Sequence, residues 1–245
     1  MFGNATADDF LAQLGRTTKP EYAAAFATFL NQTGVPQVKA RLECAQGNAA
    51  TVEIEQQRLL PPGSSGDVNR TWGIPVCVAY SDGTSRKQTC KLIAEQKATL
   101  TLQDKACPAW YLANAQEIGY YEVLYDQESI AKLLDHSSDL TLAEEVGVLG
   151  DLHTLATTSQ MPWDQVLSLV PKLKNETRPE ITRAAIQLAR VPQLYLDSKL
   201  SPNYASYVED TFGEQARQLG WTDKPEDTPD QRLLRPELVG FVARW

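Results

Sequence analysis

Residues 107–126 read CPAWYLANAQEIGYYEVLYD, and this aromatic stretch decides how the rest of the chain is interpreted. Its large rings belong to Trp110, Tyr111, Tyr120, Tyr121 and Tyr125. Such a cluster can form a platform for a ligand, or it can fill the core of a β-sheet domain, since aromatic side chains bury large areas. A strand predicted over residues 118–125 favours the core.

Upstream of this stretch, apolar and polar residues alternate with a period of two, which is typical of strands with one buried face. A first hairpin is predicted from residues 38–44 and 51–55, joined by the turn residues Gln-Gly-Asn at 46–48. Further strands are predicted over Trp72 to Tyr80, Arg86 to Ile93 and Ala98 to Leu102. Six or seven short strands at this spacing indicate an antiparallel β-sandwich over residues 36–126.

The register of the second hairpin places two cysteines opposite each other. If residues 82–85 form a four-residue loop, counting outward from it brings Cys77 opposite Cys90. Directly opposed residues have Cα atoms about 4.5 to 5.5 Å apart, which a disulfide accepts. We predict a disulfide here, with two buried thiols as the alternative. The bond would favour a periplasmic or secreted protein. Cys44 and Cys107 could form a second disulfide, but their spacing in the sequence does not test that pairing.

After Asp126, apolar residues recur at helical spacing to the end of the sequence. Helices are predicted over Ser129 to Leu134, Thr141 to Thr157, Pro162 to Leu173, Pro179 to Leu188, Ala205 to Leu219 and Gln231 to Trp245. Thr141 and Glu144 have the spacing of a capping box. Helices joined by short loops indicate an all-α, solenoid-like domain over residues 127–245.

Two short helices are predicted before the sandwich, within residues 6–32. Thr6 suits the N-cap of the first, and Pro20 suits the first turn of the second. In the second helix one apolar face is predicted from Tyr22, Ala25, Phe26, Phe29 and Leu30. No other segment of the sequence offers an obvious cover for that face.

Three segments together resemble the aminopeptidase-N-like zinc metallopeptidases. The aromatic stretch resembles the family's W…NA…GYYRVNYD segment, which ends a β-sandwich and leads into a large helical domain. Residues 29–36, FLNQTGVP, resemble its FLDQPGVP junction, where the catalytic domain ends. Residues 218–221 and 231–235 resemble its LGW…RLLR helical pair. Glu122 stands where that family has Arg, so no contact of that Arg carries over.

The resemblance implies a multi-domain arrangement in three parts. Residues 1–35 would be terminal helices of a thermolysin-like catalytic domain that lies outside this sequence. Residues 36–126 would be the β-sandwich domain. Residues 127–245 would be an α-helical domain that we expect to be truncated.

The catalytic motifs of that family are absent from the sequence. Its zinc site needs His-Glu-x-x-His and a further Glu, whereas the chain has only His136 and His153. Its Gly-x-Met-Glu-Asn motif, which holds the substrate amino terminus, has no match because Met1 and Met161 are the only methionines. We therefore expect no catalytic and no metal-binding residue here, with Zn²⁺ implied for the parent enzyme alone.

Composition narrows the classes of partner. A formal charge of −8 without a dense Lys/Arg cluster argues against nucleic acid, because phosphate binding needs a basic patch. No apolar run approaches the ~20 residues of a transmembrane helix. At 245 residues, two or more domains are expected.

Together these features predict the non-catalytic C-terminal region of a zinc-dependent aminopeptidase. Its partners would be the catalytic domain of the parent chain and the peptide substrate, whose cavity it would shape and close. The alternative is a free-standing scaffold that binds a peptide or protein and has no enzymatic role. In either case the chain alone is expected to be inactive as an aminopeptidase.

Overall fold

The computed structural model describes residues 3–45, 49–104, 106–192 and 196–245. The chain divides into two compact units, Met1–Ser129 and Ile130–Trp245. The turn predicted at residues 46–48 lies outside the described residues.

The first unit opens with two helices, α1 (Ala7–Thr17) and α2 (Pro20–Asn31). Thr6 caps α1: the Asp9 N–H donates to its Oγ1 over 3.2 Å, and its own N–H donates to the Asp9 carboxylate over 2.9 Å. This reciprocal pair is a capping box. Pro20 occupies the first turn of α2, so the predicted helix pair is confirmed.

Seven strands follow among the described residues. They are β1 (Pro36–Glu43), β2 (Thr51–Arg58), β3 (Ile74–Ser81), β4 (Arg86–Ile93), β5 (Lys97–Thr101), β6 (Trp110–Leu112) and β7 (Glu122–Leu124). One sheet has the order β5-β2-β1-β7, and the other has the order β4-β3-β6. The sheets touch directly, because the Tyr111 hydroxyl on β6 donates to the Ala40 carbonyl on β1 over 2.9 Å.

The prediction of a wholly antiparallel arrangement is wrong at one pair. β7 runs parallel to β1, with Val38 opposite Val123. The chain reaches β7 after leaving β6 in the other sheet, so it arrives at the free edge of β1 by a crossover. Only a crossover connection can bring a strand in parallel to an earlier one.

The strand predicted over residues 118–125 is shorter than expected, and β6 was not predicted at all. Between these strands lies a short 3₁₀ turn, Ala115–Glu117, in which Gln116 and Glu117 have φ values of 62° and 55°. Residues in that region of φ/ψ space cannot continue an extended strand. Strand pairing therefore resumes only at Glu122.

The second hairpin has the predicted register. β3 and β4 pair antiparallel with Ser81 opposite Arg86 and Cys77 opposite Cys90. The loop between them is held by Asp82, whose carboxylate accepts from the backbone N–H groups of Thr84 and Ser85. This is the local turn chemistry that Asp supplies.

Helices make up the remainder of the chain. They are α3 (Gln127–Asp135), α4 (Leu142–Thr157), α5 (Trp163–Leu169), α6 (Pro179–Ala189), α7 (Ser201–Leu219) and α8 (Pro229–Val242). The predicted capping box of Thr141 and Glu144 is confirmed at the start of α4. The helix predicted over residues 162–173 changes to a 3₁₀ turn at Val170–Leu173, where Pro171 lacks the N–H that an α-helix needs.

The core of the second unit is formed by apolar side chains, and the buried carboxylate of Glu145 is paired at its edge. Fully buried residues include Leu152, Val166, Ile181, Ile186 and Val208. Arg178 donates to both carboxylate oxygens of Glu145, over 2.6 and 2.7 Å. Among the described residues, no helix combines the length and apolarity needed to cross a membrane.

Candidate functional site

The apolar face predicted for α2 is divided in the structure between two directions. Ala25 faces the β-sheets of the first unit. It packs on Gly73 so closely that a Cβ at Gly73 would lie 2.5 Å from the Ala25 Cα. The Thr28 hydroxyl accepts from the Gly73 N–H over 3.0 Å. The Phe29 ring lies 6.5 Å from Trp72 and 6.2 Å from Tyr120. One side of α2 is thus fixed to the start of β3.

The other side of α2 carries large apolar side chains that remain exposed. Tyr22, Phe26 and Leu30 are 41%, 41% and 48% exposed and recur every fourth residue. Phe10 of α1 is 51% exposed, and its ring lies 5.4 Å from that of Phe26. We call these four residues the outer stripe. Contiguous exposed apolar residues on an ordered surface commonly mark an interaction site.

A second exposed feature is the loop at residues 114–119. The Asn114 side chain clamps it, since Nδ2 donates to the Gly119 carbonyl and Oδ1 accepts from the Gly119 N–H over 3.1 and 2.9 Å. Two successive non-glycine residues with positive φ cost of order 1–3 kcal/mol each, which the clamp must offset. The loop presents Ile118 and Tyr120, which are 70% and 69% exposed. Placing Tyr120 in the core was therefore wrong.

The other rings of the aromatic stretch are buried, as predicted for a core. Ala113 joins two of them, because its carbonyl accepts from the Tyr121 hydroxyl and its N–H donates to the Tyr125 hydroxyl, each over 2.8 Å. Burial raises the pKa of Tyr111 to about 12. Trp110 is 1% exposed. These four side chains leave no flat ring face for a ligand.

The four cysteines lie in two pairs. Cys77 and Cys90 have Sγ atoms 2.07 Å apart across the β3–β4 hairpin, which is bonding distance. Cys44 and Cys107 have Sγ atoms 2.03 Å apart, with 63 residues of sequence separation. The second pairing was left open by the sequence, because it connects the end of β1 to the segment before β6.

The two histidines lie at separate places in the second unit. His136 Nδ1 lies 3.7 Å from the Asp139 carboxylate, and His153 is exposed on α4. Within the described ranges, no group of three or more His, Cys, Asp or Glu side chains is arranged to hold a metal ion. Since its cysteines are paired, with His136 in the turn after α3 and His153 on α4, the described part of the chain has a donor set that does not fit a catalytic zinc site.

The second unit contains a cavity of about 320 Å³ between α6, α7 and α8. Its lining mixes amide, hydroxyl and leucine side chains, such as Thr182, Gln215 and Leu238, with the charged side chains of Lys224, Glu226 and Asp227.

Arg235 holds the loop that forms one wall of this cavity. Its side chain is 5% exposed, and its Nη1 and Nη2 atoms pair with the carboxylates of Asp223 and Asp227. Its Nε donates to the Gly220 carbonyl over 3.2 Å. Arg235 is the last residue of the segment 231–235 that resembles the RLLR pattern, but nothing in that pattern showed that its guanidinium is buried.

Comparison with known proteins gives one family. Residues 110–245 match the family described as "ERAP1-like C-terminal domain". The chain is similar to Aminopeptidase M1-C of Oryza sativa subsp. japonica, 23% identical, with 97% of this chain and 27% of the relative covered. It is similar to a Puromycin-sensitive aminopeptidase of Caenorhabditis elegans, 21% identical, with 99% and 26% covered. It is similar to Aminopeptidase N of Lactobacillus delbrueckii subsp. lactis, 24% identical, with 97% and 27% covered. The chain therefore spans about a quarter of the length of these relatives.

Proposed function

This chain belongs to the ERAP1-like C-terminal domain family, and we propose on that basis that it is the non-catalytic C-terminal region of a larger zinc aminopeptidase. Two observations support the proposal. The relatives named above are aminopeptidases about four times as long as the stretch that matches. The sequence itself lacks both catalytic motifs of the family it resembles.

The exposed outer stripe is the main support for the proposed partner. Fully burying one large apolar side chain stabilises by roughly 1.5–3 kcal/mol, and four half-exposed ones forgo a substantial part of that gain. The inner side of α2 is already fixed by Gly73, so the helix cannot roll over to hide the stripe. We propose that the catalytic domain of the parent chain covers it.

The finer architecture is proposed as follows. Residues 1–35 belong with the catalytic domain, residues 36–126 form a β-sandwich spacer, and residues 127–245 form a solenoid-like helical domain. The buried inner faces of the two sheets support the sandwich. The helical domain encloses the body of a peptide substrate, and the cavity between α6, α7 and α8 offers both hydrogen-bonding and charged side chains to such a ligand. Enclosure of this kind restricts substrate size and excludes water.

Zinc and compartment complete the proposal. The zinc ion implied by the family is held by the catalytic domain of the parent, because the described residues of this chain offer no group of side chains arranged to bind it. The two cysteine pairs support the proposal that the natural protein is periplasmic or secreted, because disulfides persist in oxidising compartments.

The natural polypeptide tests this function directly. Immunoprecipitation with an antibody raised against this chain, followed by intact mass, should recover a protein several times larger than 27.1 kDa. Its sequence should contain His-Glu-x-x-His, and it should hydrolyse aminoacyl amides, while this chain alone should not. A natural product of the mass of this chain would contradict the enzyme and favour the free-standing scaffold.

A substitution in the complete polypeptide tests the docking step. Phe26→Asp places a charge in the outer stripe and should lower activity and thermal stability together. Leu233→Asp is the matched control, since Leu233 is 64% exposed on α8 and lies outside the stripe. Equal effects of the two substitutions would show that the stripe has no special role.

A further inference from the structure

The guanidinium group of Arg58 lies in a narrow gap between two glycines. A Cβ built on Gly34 would lie 2.6 Å from Arg58 Nε, and one on Gly66 would lie 2.8 Å from Nη1. Both glycines have a positive φ, of 117° and 144°, which side-chain-bearing residues rarely adopt. A side chain at either position would therefore displace the guanidinium, and the positive φ values themselves favour glycine there.

Main-chain hydrogen bonds hold this gap in place. The Arg58 N–H donates to the Val68 carbonyl over 2.8 Å, and the Leu59 N–H donates to the Val35 carbonyl over 2.9 Å. The end of β2 is thus tied to both segments that carry the glycines. The positions of the two glycines relative to the end of β2 are thus set by the backbone of the first unit.

The guanidinium has no acceptor among the described residues. Its Nε is buried without a hydrogen-bond partner, and none of the other side-chain donors of Arg58 finds one. Asp67, beside Gly66, uses its carboxylate to accept from the Asn69 N–H over 2.9 Å and forms no ion pair with Arg58. A buried donor of a charged group costs free energy when it forms no hydrogen bond, so the unpaired Nε of Arg58 requires an explanation.

A second cation lies on the same turn. Arg70 Nη1 donates to the carbonyl and hydroxyl oxygens of Thr33, over 2.8 and 3.1 Å, and Thr33 directly precedes Gly34. In the described part of the chain, no carboxylate forms an ion pair with Arg70. The turn at Thr33 and Gly34 therefore carries two guanidinium groups with no counter-charge, on a chain whose formal charge is −8.

We propose that Arg58, with Arg70 beside it, is a binding site for a carboxylate group. The planar fork of a guanidinium matches the two oxygens of a carboxylate, and such bidentate pairs are stronger than neutral hydrogen bonds. The two glycines leave the space that the fork occupies. This inference stands on the first unit alone and does not depend on the proposed aminopeptidase role.

The carboxylate can come from an Asp or Glu side chain of the natural polypeptide or from a separate molecule. Titrating this chain with sodium acetate, at ionic strength held constant with sodium chloride, addresses the chemistry first. The arginine Nε–H resonances of ¹⁵N-labelled protein report each guanidinium separately. Arg16, exposed on α1 and outside the gap, is the matched internal control.

The expected result is a saturable shift of the Arg58 resonance with acetate and no saturation at Arg16. Arg58→Lys, which keeps the charge but loses the fork, should abolish saturation at this site as read from the Arg70 resonance. A linear drift shared by Arg58 and Arg16, or saturation that survives Arg58→Lys, overturns the proposal.

The source of the carboxylate is settled on the natural polypeptide by the same titration. An Arg58 resonance already shifted and insensitive to acetate identifies an internal Asp or Glu. A resonance that still titrates identifies a free ligand. Both results support a carboxylate site, whereas an unshifted resonance that acetate does not move overturns it.

Discussion

Substituting Gly73 with alanine tests how α2 is attached to the β-sheets of the first unit. The new Cβ would lie 2.5 Å from both the Cα and the Cβ of Ala25. That is about 1 Å short of an ordinary carbon–carbon contact, and backbone lies on one side, so no side-chain rotation relieves it. Gly73 does not have a positive φ, so the substitution adds no backbone strain of its own.

The expected cost is that of overpacking, about 1–3 kcal/mol. If this cost falls on the docking of α2, backbone amides of residues 20–31 should exchange with solvent roughly 5-fold to 150-fold faster. Amides of the β3–β4 hairpin, apart from residues next to position 73, should change little. Hydrogen exchange followed by mass spectrometry resolves these segments.

Gly150→Ala is the matched control. Gly150 lies within α4, and a Cβ there meets nothing within 4 Å. Replacing a helical glycine with alanine at such a site should stabilise by roughly 0.5–1 kcal/mol. Exchange in residues 20–31 that is unchanged by Gly73→Ala would refute the close packing of Ala25 on Gly73 and the division of α2 into two faces.

Three further outcomes are expected. Without reductant, peptide mapping should find Cys77 linked to Cys90, and replacing both by Ser should destabilise by about 3 kcal/mol from loop entropy; alkylation of either thiol without reduction would contradict the pairing. The pKa of Glu176 is lowered from 4.5 to about 2, chiefly by the hydrogen bond from the Arg178 side chain. The contribution of Glu176 to the free energy of unfolding is therefore full above pH 4.5 and is lost as pH falls toward 2. Glu176→Gln should flatten the dependence of that free energy on pH in this range, whereas the exposed control Glu180→Gln should not. Urea titrations at each pH would measure both. Arg235→Met removes the ion pairs with Asp223 and Asp227, while the Asp227 carboxylate still accepts from the Lys224 N–H, so it should destabilise by about 1–3 kcal/mol. Arg232→Met on the exposed face of α8 should cost no more than ~0.5 kcal/mol.

Local patterns in the sequence were sufficient where neighbouring residues decide the structure. The β3–β4 register followed from a period of two and an Asp-Gly loop, and it placed Cys77 opposite Cys90. The N-cap at Thr6 and the capping box at Thr141 were readable because the residues that define them lie within one turn. Each of these features depends on residues close together in the chain.

Features that depend on distant residues were not readable in the same way. The apolar period of α2 gave a single face, whereas the structure turns Ala25 inward because Gly73, far along the chain, has no side chain. The parallel pairing of β7 depends on which sheet β6 joins. Arg58 carries no signal in its own neighbourhood, since its gap is made by glycines from two other segments.

The candidate site was predictable only in part. The sequence identified an uncovered apolar helix and the aromatic stretch, and both contribute exposed residues to the surface. It placed Tyr120 in the core, because aromatic content does not show that Asn114 clamps a loop which turns that ring outward. Positive φ at Gln116 and Glu117 is a property of the folded loop and leaves no mark in residues of those types.

We propose that the outer stripe is covered by the rest of a larger enzyme. Hydroxyl-radical footprinting measures this cover directly, by comparing oxidation of Tyr22 and Phe26 in this chain and in the natural polypeptide. Tyr80, which is 0% exposed, should stay unreactive in both and so reports an intact fold. We expect Tyr22 and Phe26 to react readily in this chain and to be protected in the natural polypeptide. Equal oxidation of both residues in the two proteins would contradict it.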